Sequence, residues 1–374
     1  MKSKKLIISI VVFVALIGFG IWAYRHVGFN FALLREQLRQ VNWTKIAIGL
    51  GCIYLGYVFR GVRWAMLIRH NKRVPLFSLV GTQVIGFTSV ALIGRVADLV
   101  RPYLTSKKTS LPISSQVAVY IVERLFDSGS MALIFSIAML WVPQDEMLRA
   151  MSHSKMMASL ATRFPHLMPL AARFGGIVLT ALGVAFLAAV RIGGGVFASF
   201  CERTFGIFSK KLGVAIGENI RTFRSGLDTM RSWSDFLITA ALSLAMWGLI
   251  TVAYFVTCQS FQASPQLAGI DPSKCVLLMI VSGGASIFQL PVLGWFTQIA
   301  AVAAALAGIL GSSIEASTAC AVMLLAVTFL GIVPVGLIWA QFENVNLRKV
   351  ATESEHAAED VEARTDPSPA VEEA

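Results

Sequence analysis

"LFSLVGTQVIGFTSVALIGRVADLVRPYLTSKK", residues 76–108, decides how this chain is threaded. Leu76–Ile93 is apolar and of membrane-crossing length, since about 18 residues at about 1.5 Å each cover most of about 30 Å of hydrocarbon. Gly81, Gly86 and Gly94 interrupt it. Upstream lie Arg60, Arg63, Arg69, His70, Lys72 and Arg73, and downstream lie Arg95, Arg101, Lys107 and Lys108. Both flanks are therefore basic. Short cytoplasmic loops collect Lys and Arg, so a full crossing would strand one basic flank outside. A hairpin that enters and leaves by the same face returns both. Such irregular backbone is tolerated at membrane depth only when protein covers it or it lines a wet cavity.

The rest of the chain sets the context. Of 374 residues, 56% are hydrophobic and only 14% charged, against about 25% charged in a soluble domain. The apolar runs are long and continuous, whereas a membrane β-barrel shows short alternating segments. The class is an all-α polytopic membrane protein. The formal net charge of +11 sits largely in short connections between apolar runs, which excludes nucleic acid as the natural partner. Five cysteines lie far apart without metal or disulfide spacing and read as small hydrophobes.

Six full spans are expected: Leu6–Tyr24, Trp43–Phe59 with an extension toward Ile68, Ile113–Trp141, Phe174–Val190, Phe236–Cys258 and Ile314–Trp339. Residues 28–43 read as a short amphipathic helix outside the membrane, and 191–235 as amphipathic helix on the cytoplasmic face. A second apolar stretch, Cys275–Leu310, is broken by "SGGAS" (282–286) and "LPVLG" (290–294). It reads as another broken hairpin, entering from the opposite face. Eight full spans is the competing count. Opposed broken helices in two halves of a chain mark the binding region of many transporters. Residues 1–345 form one transmembrane domain, and 346–374 an acidic tail expected to be disordered and cytoplasmic, as is the N-terminus.

The charges inside these runs are the candidate site. Arg95, Asp98 and Arg101 fall three apart, so on a helix they share a broad face and Asp98 can pair with either arginine. "ERLFD" (123–127) places Glu123 and Asp127 four apart, with Arg124 beside them. An unpaired charge at mid-bilayer costs roughly 2.5–3.5 kcal/mol, so this group must pair, line water or sit near an interface. Arg95 or Arg101 paired with Glu123 or Asp127 would satisfy that. A guanidinium fork binds phosphate, which makes a lipid headgroup a natural ligand. The competing reading is a structural ion-pair cluster. In the second break, Gly283, Gly284, Pro291 and Gly294 either free backbone groups to line a cavity or pack a kinked helix through small residues.

"LIGRVADLVRPYL" followed by "VAVYIVERLFDSGSMAL" resembles the flippase-like transmembrane region of lysylphosphatidylglycerol synthases. That family carries a Pro-x-Arg-x-Gly-Glu-x-x-Arg pattern, then a Glu-Arg-x-x-Asp helix. Arg95, Asp98, Arg101, Glu123, Arg124 and Asp127 take those places. A later Pro-Gly break followed by Glu reads here as "LPVLGWFTQ", with Pro291, Gly294 and Gln298. Asp98 replaces the usual Glu, Ala97 a common Gly and Gln298 the usual Glu. The resemblance spans about residues 5–342 and omits the soluble aminoacyl-transfer domain of the synthases. It implies an inner-membrane lipid translocator that moves a phospholipid, an aminoacyl-phospholipid or a polyprenyl-phosphate-linked lipid.

No phosphate loop, zinc-protease motif or nucleophile elbow appears, and the histidines fall in loops or the tail. No metal, no cofactor and no enzymatic activity are expected. Two alternatives stay open. Asp98, Glu123 and Asp127 could serve an intramembrane transferase of a lipid-linked glycan pathway. The chain could also be a non-transporting partner of a lipid-modifying enzyme, docking through 191–235.

Overall fold

The computed structural model describes residues 30–141, 232–286 and 293–365, with isolated residues between 159 and 204. The expected span Leu6–Tyr24 lies outside the described residues, as do most residues of the span Phe174–Val190 and of the amphipathic stretch 191–235.

Helix α1 (Phe31–Arg39) is capped by Asn30, whose side chain accepts from the amides of Ala32 and Leu33. Helix α2 (Trp43–Ile68) starts the same way at Asn42 and runs its full 26 residues without a break. Helix α3 (Leu76–Ile93) ends at Gly94, whose φ of 95° with ψ of −170° is open to glycine and strained for any other residue. A 3₁₀ turn (Arg95–Leu99) and helix α4 (Val100–Thr109) follow, with Pro102 tolerated in the first turn of α4. Then come α5 (Ile113–Trp141), α6 (Trp233–Cys258), α7 (Pro272–Ala285), α8 (Leu293–Leu310) and α9 (Ile314–Thr328). A 3₁₀ turn, Leu330–Ile332, joins α9 to α10 (Val333–Phe342), and α11 (Leu347–Thr365) ends the described chain. Among the described residues there is no strand, and the expected all-α polytopic class holds. Among the described residues four stretches are long and apolar enough to cross a membrane: α2, α3, α6 and Ile314–Phe342.

Side-chain ties reveal the threading. Helices α2 and α6 pack antiparallel and are joined at both ends. At one end Asp235 receives Arg69 and His70, the latter at 2.9 Å. At the other, the Asn42 amide reaches the Ser260 carbonyl at 2.9 Å and Lys45 the Gln259 carbonyl at 3.2 Å. Helix α5 begins where α2 ends, because Trp64 Nε1 donates to Gln116 at 3.1 Å. Residues 69–112 therefore leave one face and come back to it. Lys72 Nζ on the Thr109 carbonyl (2.7 Å) and Lys108 Nζ on the Ser78 carbonyl (3.1 Å) close the mouth of that hairpin.

The second hairpin, α7 and α8, uses the opposite face. It leaves from the end of α6 and returns to the start of α9, and these meet where Cys258 and Cys320 lie 3.7 Å apart as free thiols. The Asn30 amide on Glu315 (3.1 Å) confirms that α9 begins on the α1 side. Among the described residues the two hairpins thus open toward opposite ends of the α2–α6 pair, as the two broken stretches led one to expect.

The connection after α9 is broken rather than continuous. Tyr54 donates to the Gly331 carbonyl at 2.8 Å and Thr88 to that of Ile332 at 3.4 Å, so side chains from α2 and α3 satisfy acceptors freed by the break. The acidic end departs from the expected disorder as far as residue 365. Helix α11 buries Val350 and Ala351 against Ala97, Val100 and Leu104 of the first hairpin, and Ser354 one turn on is buried as well. Its mean composition conceals this narrow apolar strip at one-turn spacing, because the acidic residues around it dominate any average.

Candidate functional site: a buried arginine cluster beside a cavity

Residue spacing on four helices brings the charges together. Asp127 lies 14 residues from each end of α5, about 21 Å along the helix axis from either terminus. Glu123, one turn away, shares its face. Helix α2 directs Arg60 and Arg63, three apart, at the same level. Helix α4 supplies Arg101, and α6 adds Ser243 and Trp247.

Arg63 is the centre. Its Nη2 lies 2.5 Å from Glu123 Oε1, and its Nη1 lies 2.6 Å from Asp127 Oδ1 and 2.7 Å from Ser243 Oγ. Arg101 approaches Glu123 Oε2 at 3.1 Å and Gln83 at 3.2 Å. Its guanidinium stacks between Phe87 and Tyr120, at 4.5 and 5.0 Å from the ring centroids. Both arginines are essentially closed to solvent, with 1% and 0% of the side chain exposed. They are the structural part of the cluster, and they leave Glu123 and Asp127 committed.

Arg60 and Arg124 are different. Arg60 touches its acids only at 3.5 and 3.6 Å and lies over Phe87 at 4.6 Å. Arg124 forms an ion pair with Asp127 at 2.9 Å but keeps 38% of its side chain exposed. Both line a cavity of about 230 Å³ together with Arg95 and Asp98. The opposite wall carries Ser282, Gly283, Ser286 and Gln298 from the second hairpin, and apolar residues such as Ile53, Val90 and Met279 complete it.

The two breaks meet at this cavity. Arg95 Nε donates to the Ser286 carbonyl at 2.9 Å and its Nη2 to Ser286 Oγ at 3.1 Å. Gln298 Nε2 and Tyr254 OH both reach Ser282 Oγ, at 2.7 and 2.9 Å, and so fix the second hairpin to α6.

The expected site residues thus divide. Arg95, Asp98 and Arg124 line the cavity, whereas Arg101, Glu123 and Asp127 form the buried support behind it. Asp98 pairs at 3.8 Å with Arg95 and not with Arg101. The expectation of one α-helical face fails because residues 95–99 are 3₁₀. Of the proposed pairings, Arg101 with Glu123 forms; Arg95 turns instead to the second hairpin.

In the second hairpin, Gly283 and Gln298 reach the cavity. Gly283 and Gly284 do not break their helix, and a Cβ on either would meet no atom within 4 Å. That favours the cavity-lining reading over tight small-residue packing for Gly283. Gly294 is buried at the start of α8, and Pro291 lies outside the described residues.

Arg60 and Arg63 are absent from the expected site because they sit among six basic or near-basic residues that read as one cytoplasmic flank. The signal against that reading is "GVRWAMLI" (61–68), which continues an apolar helix beyond both arginines.

The lysylphosphatidylglycerol synthase TM region family matches residues 6–336, so the chain belongs to that family. No curated protein and no solved structure matches it. Membership accords with a role at membrane lipids.

Proposed function

We propose that this member of the lysylphosphatidylglycerol synthase TM region family translocates a lipid whose headgroup phosphate docks in the cavity between the two hairpins. The observation that carries the reading is the Arg95–Ser286 contact, which joins the breaks beside a cavity walled by Arg60, Arg95 and Arg124. Guanidinium donors supply forked hydrogen bonds to phosphate oxygens. The apolar side of the cavity suits the first carbons of the chains, while the rest stays in lipid. Opposed hairpins that touch at one point form a two-sided gate, and parting them opens the cavity to one face or the other.

A catalytic reading has less support, since Glu123 and Asp127 are each held by two or more arginines. The protein belongs in this proposal to the inner membrane, with both chain ends cytoplasmic. Arg69, Lys72, Lys107, Lys108 and helix α11 gather at the mouth of the first hairpin, in keeping with the positive-inside rule.

The test is movement of fluorescent phospholipid between leaflets of proteoliposomes. Wild type is expected to move it, and Arg60→Gln, Arg95→Gln and Arg124→Gln to lose most of that rate while eluting as folded protein. Full activity in all three variants, or none in wild type across several headgroups including a polyprenyl phosphate, overturns the proposal.

A further inference from the structure

Five guanidinium groups meet three carboxylates in and behind the cavity: Arg60, Arg63, Arg95, Arg101 and Arg124 against Asp98, Glu123 and Asp127. The excess is two positive charges. Arginine does not release its proton at any working pH, so titration offers no relief. Arg95 and Arg124 keep 49% and 38% of their side chains exposed and Arg60 10%, so the surplus lies at the cavity wall, where an entering anion gains charge-assisted hydrogen bonds from guanidinium groups that lack a full carboxylate partner.

The walls also decide against a positive headgroup. Glu123 and Asp127 are engaged by Arg63, Arg101 and Arg124. The face of Phe87, which could receive an ammonium, is already covered by Arg60 and Arg101. Trp247 points its Nε1 toward Asp127 at 3.4 Å. Of the three carboxylates only Asp98 lines the cavity, with Arg95 3.8 Å from it, so an incoming ammonium would otherwise meet only neutral groups such as Gln298 and the rings of Tyr57, Tyr254 and Phe329. The slack contacts of Arg60, at 3.5 and 3.6 Å, leave its guanidinium able to turn toward a ligand.

We infer that the cavity selects a headgroup bearing two negative charges, a terminal phosphomonoester or diphosphate, over monoanionic, zwitterionic and aminoacylated headgroups. This rests on the reading of the cavity as a headgroup site and does not require that the lipid be moved. A terminal phosphate dianion matches the excess charge, whereas a phosphodiester such as phosphatidylglycerol leaves one charge unmatched. A lysylated headgroup would add to the surplus.

The experiment is lipid binding to the purified full chain in detergent, read as the ligand-dependent rise in melting temperature. The probes are phosphatidic acid, a polyprenyl phosphate, phosphatidylglycerol, phosphatidylethanolamine, lysylphosphatidylglycerol, and inorganic phosphate and pyrophosphate. The phosphomonoester lipids should bind about tenfold or more tightly than phosphatidylglycerol, as expected for one additional charge at contact distance. Their affinity should rise between about pH 5 and about pH 8 as the phosphate takes its second charge near about 6, while that of phosphatidylglycerol stays level. Arg124→Gln lowers the excess to one and should narrow the preference. Asp98→Asn raises it to three and should widen it, so the two variants have opposite signs.

Equal affinity for all anionic lipids, tighter binding of the lysylated lipid, or a pH-independent phosphatidate affinity overturns the inference. Binding of pyrophosphate with no binding of any lipid keeps the dianion but makes the ligand soluble. Dianion selection without translocation overturns the proposed transport alone. Translocation without headgroup preference overturns this inference alone.

Discussion

The two hairpins share a topology and differ in how they are held. The first is anchored by charge and by close backbone approach. Arg101 ties it to Glu123, and helix α3 passes so near its neighbours that Gly61 lies against Val80, Gly81 against Trp339 and Gly86 against Arg101. The second hairpin is held by the neutral chain Tyr254–Ser282–Gln298, by the Arg95–Ser286 contact and by burial of Leu278, Met279, Val302 and Leu306, while Gly283, Gly284 and Gly308 have open space beside them. Ion pairs away from water demand their partners, so the first hairpin has little freedom. A neutral hydrogen bond contributes only about 0.5–1.5 kcal/mol and is readily exchanged. The difference identifies the second hairpin as the easier one to displace, with the first as its fixed support.

The strongest test of that contrast is Arg101→Ala. It empties the slot between Phe87 and Tyr120 and unties α4 from Glu123, which keeps Arg63, and should cost about 2–5 kcal/mol, seen as a large fall in melting temperature or failure to purify as a monodisperse species. If the variant melts like wild type, the first hairpin is not the fixed one.

Glycine replacements compare the hairpins directly. A methyl group at Gly86 would overlap Arg101 Cγ, so Gly86→Ala should destabilise by about 1–3 kcal/mol. Gly284→Ala places its methyl in open space within α7 and should be neutral or stabilising by up to about 1 kcal/mol. Paired thermal melts check both, and equal losses would erase the distinction.

Gln298→Ala removes one hydrogen bond from the second hairpin and should cost about 0.5–1.5 kcal/mol. Its clearer effect should be faster hydrogen exchange in α7 and α8 with none added in α3 and α4. Uniform acceleration in both hairpins would show that they move together.

The smallest effect concerns α11, which braces the first hairpin from outside. Glu353 accepts from Tyr103 OH at 2.6 Å and Lys107 Nζ at 2.9 Å, and these bonds, Tyr103 first, hold its carboxyl below the usual range. A depressed carboxyl stabilises docking above its free value near about 4.3, and that contribution is lost as pH falls through the depressed value. Protection of the amides of residues 347–356, measured against their intrinsic exchange rates, should therefore fall in acid, and Glu353→Gln should remove that fall. Protection that stays constant with pH would place the docking in Val350 and Ala351 alone.

Hydropathy and charge placement were enough to establish the all-α membrane class, the two interruptions near Gly94 and Ser282–Gly294, and the charged residues of 95–101 and 123–127. These are properties of contiguous residues, and the cost of placing charge or irregular backbone in hydrocarbon makes them visible along one dimension. The tertiary structure alone decided which charges are support and which face the cavity. Arg60 and Arg63 read as an interfacial anchor because a basic residue near the end of a span looks the same whether it faces water or the bundle. Arg101 and Arg95, six residues apart in one short motif, took opposite fates: one closed between Phe87 and Tyr120, the other bonded to Ser286 across the molecule. Pairing between residues 60, 123 and 243, or between 95 and 286, depends on which helix faces turn toward one another. Packing sets that, and no local pattern records it.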